Sequence, residues 1–281
     1  MIIFFSRGRI GNQLFQYAFL NTIVKKKERI YGINMDDFVK YFNIENKNFK
    51  NISLKRGYII RIIKSIMMFF VKIKIIGYIF QKRDLKGRPL PEYIKKRGLL
   101  PIRLIKSDYF QSPSLFNSEK IDFSLKEEYI IKAKEFLANI PPSYKRCFIH
   151  IRRGDYLFIE YDGYKGINLP KNYYIKAIEI IKKEAKDIFF IFLSDDPEFV
   201  EYCYNEIENK IISREKEAVD LAIMMECEYG IISNSSFSWW GAYLMKNRKK
   251  VIFPKYWYGW KSKIEFHSEI YPEWGEIIEP N

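Results

Sequence analysis

Cys147-Phe148-Ile149-His150-Ile151-Arg152-Arg153-Gly154-Asp155-Tyr156 reads as a short buried strand running straight into a cationic turn. A brief apolar run bounded by charge and glycine marks a strand covered on both faces. Two adjacent guanidiniums follow it, in a turn whose backbone amides also point outward. They place fixed planar cations where a diphosphate fits. Alone, an Arg-Arg-Gly-Asp turn is more often a surface salt bridge. Its surroundings reverse that preference.

Downstream, strands and helices alternate. Residues 172–186 form an amphipathic pattern with Tyr173, Ala177, Ile180 and Ile181 on one side, and 188–193 are an apolar run. That run stops at Ser194-Asp195-Asp196-Pro197, an N-cap with proline at the first helical position. Residues 220–227 read as a helix, 230–232 as a strand, Asn234-Ser235-Ser236 as a capping turn, 237–246 as a helix, and 251–254 as the closing strand. Such alternation predicts β-α-β units on a parallel sheet. The front of the chain starts the same way, with a strand at 2–5, a turn at 6–12 and a helix at 13–26. Beyond it the sequence turns irregular and basic, and only 124–139 reads clearly as a helix. Pro141-Pro142 is the linker candidate, which gives a lobe at 1–140, with a basic insert at about 50–106, and a lobe at 141–281. Two Rossmann-like lobes bind ligands where the strand order reverses.

Two further turns support the anion reading. Ser233-Asn234-Ser235-Ser236-Phe237 sets hydroxyls and free amides at a helix start, where unpaired N–H groups and the helix dipole attract phosphate. Its plain alternative is a serine cap above a Trp239-Trp240 core pair. Gly8-Arg9-Ile10-Gly11-Asn12-Gln13 is a strand-to-helix turn without the G-x-G-x-x-G spacing of dinucleotide sites. Asp195-Asp196 is explained by the cap before Pro197, no Asp-x-Asp triplet occurs, and no metal is expected. Without a metal, a departing diphosphate needs arginines and helix dipoles, which the turns at 150–156 and 233–237 supply.

Composition sets the class. With 281 residues and 48% hydrophobic content, the chain can bury one large core or two moderate ones. Three cysteines without a C-x-x-C pair, and only two histidines, suggest neither a disulfide framework nor a zinc site, and they fit a reducing compartment. The start lacks a basic, then long apolar, export signal, so a cytoplasmic location is expected. The window 50–106 holds 16 Lys and Arg against Asp84 and Glu92, and this carries the whole net charge of +14.

The chain resembles the α-1,2-fucosyltransferases of glycosyltransferase family 11. The resemblance rests on Gly8-Arg9-Ile10-Gly11-Asn12-Gln13-Leu14-Phe15-Gln16-Tyr17-Ala18-Phe19, on Asp108-Tyr109-Phe110-Gln111-Ser112, on the turn at 150–156, on Phe192-Leu193-Ser194-Asp195-Asp196, and on 232–244 with its Ser-Asn-Ser-Ser-Phe-Ser-Trp-Trp-Gly-Ala core. It implies a GT-B type α/β fold, two Rossmann-like lobes with a cleft between them. It implies GDP-fucose as donor, inversion at the anomeric carbon, and transfer to the 2-hydroxyl of a terminal β-galactoside. The acceptor would be a surface glycan, in one form lipid-linked. Under the resemblance Arg152 grips the β-phosphate, with Arg153 beside it and His150 ordering the turn. Asp195 approaches the guanosine, while Asn234, Ser235, Ser236 and Phe237 line the diphosphate and fucose. Asn12, with Gly11 beside it, is the front-lobe residue that reaches the donor. Inversion needs a base near the acceptor hydroxyl, and Asp155 is the candidate. The alternative for Asp155 is a salt bridge that fixes Arg152 or Arg153. Region 39–106 carries no matching motif, which leaves the acceptor open.

The basic segment has three readings. One is a solvated cationic face. Another is an interfacial amphipathic helix within 58–80, drawn to an anionic membrane leaflet. The third is a nucleic-acid surface, but the two phosphate-type turns lie in the charge-balanced remainder, where a purely electrostatic binder has no use for them. Charges at Arg61, Lys64, Lys72 and Lys74 interrupt 58–80, so no spanning helix is expected there.

Overall fold

Ile2-Ile3-Phe4-Phe5 needs cover on both faces, and it receives it as β1 (Ile2–Phe5), a central strand with parallel neighbours on either side. Helix α1 (Ile10–Ile23) follows and is buried along almost its whole length. Then come β2 (Ile30–Ile33), α2 (Asp36–Tyr41), β3 (Phe49–Ile52), α3 (Gly57–Lys72), β4 (Gly77–Arg83), β5 (Pro89–Lys96) and β6 (Arg103–Ile105). The sheet order is β3-β2-β1-β6-β4-β5, parallel except for the β4–β5 hairpin. The structure, a computed structural model, describes residues 1–121, 123–265 and 268–280.

The front of the chain is thus regular where its sequence reads as irregular. The reason is exposure: β5 is an edge strand with no fully buried residue, so selection for an apolar rhythm is weak there. Within 58–80, the helix ends at Lys72 and 77–80 belong to β4.

Two compact units result, Met1–Ser124 and Leu125–Asn281. The division falls ahead of Pro141-Pro142 because α4 (Glu127–Leu137) packs within the second unit, against α7 (Glu217–Met225). The second unit contains β7 (Lys145–Ile151), α5 (Lys171–Glu184), β8 (Ile188–Ser194), α6 (Pro197–Cys203), β9 (Lys210–Ile212), β10 (Tyr229–Ile231), α8 (Ser236–Tyr243), β11 (Lys250–Pro254) and β12 (Gly275–Ile278). Residues 251–254 do not close the series, since β12 pairs beside β11 as a sixth strand.

All six strands are parallel, in the order β9-β8-β7-β10-β11-β12. This is the doubly wound dinucleotide-fold order, and its reversal lies between β7 and β10. Tyr173, Ile178 and Ile181 of α5 join Ile149, Phe190 and Phe192 in one core cluster, so the β7 end is anchored by close packing.

Candidate functional site

The carboxyl ends of β7 and β10 open at the reversal, where a doubly wound sheet leaves a crevice. Arg152, Arg153 and Gly154 leave the first, and Ser233 to Ser236 leave the second. The two turns that resemble anion sites therefore meet in one place. Buried His150 joins them, with its Nδ1 2.8 Å from Ser233 Oγ. Burial, and then the Arg152 charge, push the imidazole down to about 3, so it is neutral in the fold.

That shift has a consequence for stability. Unfolded chains take up this proton below about 6.5, whereas the fold refuses it until about 3. Stability therefore falls as pH drops through that window. Urea midpoints measured from pH 7 to 4 are expected to decline, and those of the His150→Asn protein to decline less steeply.

Carboxylates hold the arginines in position. Arg152 places Nη2 2.6 Å from Asp155 Oδ1 and Nη1 3.0 Å from Asp195 Oδ2. Asp195 Oδ1 accepts the Arg153 backbone N–H at 2.9 Å, and Arg153 Nε donates to Asp196 Oδ2 at 2.9 Å. The Arg153 guanidinium lies 3.4 Å over the Phe199 ring. Asp196 also caps α6 through Phe199 N–H, as expected from the Pro197 spacing. Asp195 thus spends both oxygens on the turn, which makes it a brace for the two arginines. Asp155 is a salt-bridge partner of Arg152, and its side chain is half exposed.

Ser235 caps α8 by accepting from Phe237 N–H, and Ser238 Oγ donates back to the carbonyls of Ser233 and Ser235. Ser235 and Ser236 are both largely buried at that helix start, and the Phe237 ring stands 5.5 Å from His150. Asn234 donates its amide to the carbonyls of Ile167 and Trp257 at 2.8 and 3.1 Å, so it ties three loops together. Its carbonyl accepts from the Tyr156 hydroxyl at 3.2 Å, a second bond between the turns.

One residue here escapes the sequence patterns. Asp220, in the first turn of α7, accepts from Ser213 Oγ at 2.5 Å, and burial raises its carboxyl to about 7. It is held beside Ser213, the residue just past β9, which lies two strands from β7 in the sheet. An aspartate within an apolar helical run is the only hint its sequence offers.

In the first unit the corresponding reversal is between β1 and β6. Here the motif at 8–19 meets the one at 108–112. Gln111 Nε2 donates to Asn12 Oδ1 at 2.6 Å, Ser107 Oγ donates to the Phe5 carbonyl at 2.6 Å, and Arg83 grips Asp108 with both carboxylate oxygens within 2.9 Å. Buried Gln13 and Gln16, three apart on α1, donate to the carbonyls of Gly8 and Arg7 and lock the turn. Gly11 lies in the first turn of α1, beside Asn12. Asn12 and Gly11 therefore sit in a different unit from Arg152 and its partners.

Gly8 has φ +75°, and a Cβ there would lie 2.2 Å from Asn12 Nδ2. Gly8→Ala is therefore expected to cost about 1–2 kcal/mol of stability, seen as a lower urea midpoint at unchanged slope. Among the described residues, no three His, Cys, Asp or Glu side chains cluster to hold a metal.

A doubly wound lobe with paired arginines and a capped helix at its strand-order reversal is built to hold an anionic, phosphate-bearing ligand. The chain belongs to glycosyl transferase family 11, whose family model matches residues 1–277. It is 28% identical to the O-antigen biosynthesis glycosyltransferase WbnK of Escherichia coli, over 94% of this chain and 97% of that one. To the Escherichia coli alpha-1,2-colitosyltransferase it is 31% identical, over 84% and 85%. The galactoside 2-alpha-L-fucosyltransferase Sec1 of Mus musculus matches at 26% over 34% of this chain and 27% of its own. Among solved structures, a family 9 glycosyl transferase from Veillonella parvula superposes with TM-score 0.56 at 9% identity, over 99% and 85%. The NodZ alpha-1,6-fucosyltransferase crystallised with GDP superposes with TM-score 0.51 at 10% identity, over 87% and 92%. These likenesses establish the fold.

Proposed function

We propose that the protein transfers L-fucose from GDP-fucose, with inversion, to the 2-hydroxyl of a terminal β-galactoside in an O-antigen-type glycan. The observation that carries this reading is the Arg152 turn, joined to the Ser233–Ser236 turn through His150, at the reversal of a doubly wound sheet. Arg152 and Arg153 present guanidinium N–H groups, and α8 the positive end of its helix dipole, to the diphosphate. They carry the charge that develops as the sugar leaves, and the reading calls for no metal. Asp220, held by Ser213 just past the end of β9, is the carboxylate proposed to accept from the guanine edge. The names of the curated relatives support an α-1,2 linkage and a surface-glycan acceptor.

Calorimetry tests the donor half. GDP is expected to bind at least tenfold tighter than UDP or ADP, in EDTA as well as without it. Equal binding of the three would remove the guanine assignment. A 6-deoxysugar donor lacking the 3-hydroxyl, such as GDP-colitose, is the competing substrate, since one relative carries that name. Comparing kcat/KM for the two donors decides between them.

Asp155, held against Arg152, is the proposed base for the acceptor hydroxyl. Asp155→Asn is expected to lower kcat by about 10²–10⁴, because the amide cannot take the proton of the acceptor hydroxyl. An Asp155→Asn protein with near-parental kcat would remove the base assignment and leave Asp155 as the salt-bridge partner of Arg152.

A further inference from the structure

Helix α3 is amphipathic twice over. Its inner side, with Ile60, Ile63, Met67 and Val71, covers Phe5, Ile33 and Leu104 of the sheet. Its outer side is apolar as well. Tyr58, Ile62, Ile66, Phe69 and Ile73 recur at three- and four-residue steps, which puts them on one stripe, and each is 49–57% exposed. No residue of this helix is fully buried. A solvent-facing helix side is ordinarily polar, so a stripe of five large apolar side chains marks a contact surface.

The stripe continues past the helix. Leu99 and Leu100 donate backbone N–H groups to the carbonyls of Lys74 and Ile75, which fixes them beside the end of α3, and Leu99 is 83% exposed. Leu100 also lines an open cavity of about 830 Å³ whose wall carries Lys25, Lys26, Lys95, Lys96 and Arg97.

Charge identifies the occupant. Exposed Arg61 and Lys72 flank the stripe on the helix itself, with Arg56 and Lys74 at its ends. Between Glu45 and Asp84 the sequence contains no acidic residue. The two acids of the basic window are already engaged, Asp84 with Arg88 and Glu92 with Lys82. Lys64 is turned the other way, its ammonium 4.9 Å over the Phe5 ring, so it does not belong to this rim. A protein partner would need a complementary acidic groove, and a nucleic acid has no use for five apolar side chains. A lamellar phase of anionic headgroups over acyl chains satisfies both. Among the described residues no helix is long and apolar enough to cross a membrane. A helix of 16 residues lying flat spans roughly 24 Å of surface.

We infer that the outer face of α3, continued by Leu99 and Leu100, seats the first unit on an anionic bilayer. The apolar stripe enters the headgroup–acyl boundary while Arg61, Lys72 and the cationic cavity face phosphates. This inference is independent of the donor and of the acceptor.

Co-sedimentation of the full chain with vesicles of phosphatidylglycerol and phosphatidylcholine tests it, against vesicles of phosphatidylcholine alone. The protein is expected to pellet with the anionic vesicles in low salt and to be released at high salt. I62S/I66S/F69S is expected to weaken binding at least tenfold, and R61Q/K72Q about fivefold per charge. Both variants alter exposed side chains and are expected to keep the parent's melting transition. Absence of pelleting in low salt overturns the inference, as does equal pelleting of the Ser variant. A lipid-free dimer that the Ser variant dissociates would assign the face to a second copy. Tighter binding to a single-stranded oligonucleotide than to the vesicles, lost in the same variants, would assign it to nucleic acid.

Discussion

Arg152→Ala is expected to lower kcat/KM for donor turnover by about a thousandfold or more, near 4 kcal/mol of transition-state stabilisation. The size follows from where the guanidinium stands. Its side chain is only 16% exposed, it lies at the strand-order reversal, and Asp155 and Asp195 hold it from two directions. It is therefore pre-set before substrate arrives, and little reorganisation is spent when charge develops. Arg152→Lys keeps the charge but loses the planar fork that meets both carboxylates and, under the proposed function, a phosphate, so rescue is expected to be slight. Steady-state kinetics with the donor varied at saturating acceptor measures this. A lysine variant within tenfold of the parent would mean that charge alone suffices at this position.

Gly154→Ala is also expected to cut kcat/KM steeply, although it adds a single carbon. A Cβ at residue 154 would stand 2.4 Å from Asp195 Oδ2, far inside contact distance. Asp195 must then withdraw from Arg152, and its other oxygen from the Arg153 backbone N–H. Displacing a positioned cation by about 1 Å costs on the order of 100-fold in rate. Core packing of β7 is untouched, so the melting transition is expected to stay near that of the parent. A Gly154→Ala enzyme with parental kcat/KM would show that the Asp195 brace has no part in turnover.

Much of the second unit is legible in its sequence, and the reason is burial. The β7 and β8 segments lie inside a sheet covered on both faces, so they are short apolar runs, and Pro197 and Ser235 punctuate the helices that follow. The first unit is harder to read because its edge strand and outer helix are exposed, where sequence is free to follow charge instead of periodicity. Among site residues, arginines after a strand announce themselves. The braces do not: Asp195 and Asp196 read as a cap, which one of them is, and nothing local tells that both also reach back to the turn at 152–153. Likewise Gln13 and Gln16 look like interruptions of an apolar helix until their bonds to the Gly8 and Arg7 carbonyls are seen. Long-range hydrogen bonds leave no periodic trace.

The proposed reaction is fucosyl transfer from GDP-fucose at the Arg152 turn. Incubating the purified protein with GDP-fucose and a panel of β-galactosides, in EDTA, and determining the product linkage by NMR tests it most directly. The expected result is GDP release coupled to an α-1,2-fucosylated galactoside, absent in the Arg152→Ala protein. Release of nucleotide only from a donor other than GDP-fucose, or an undiminished product from Arg152→Ala, would contradict it.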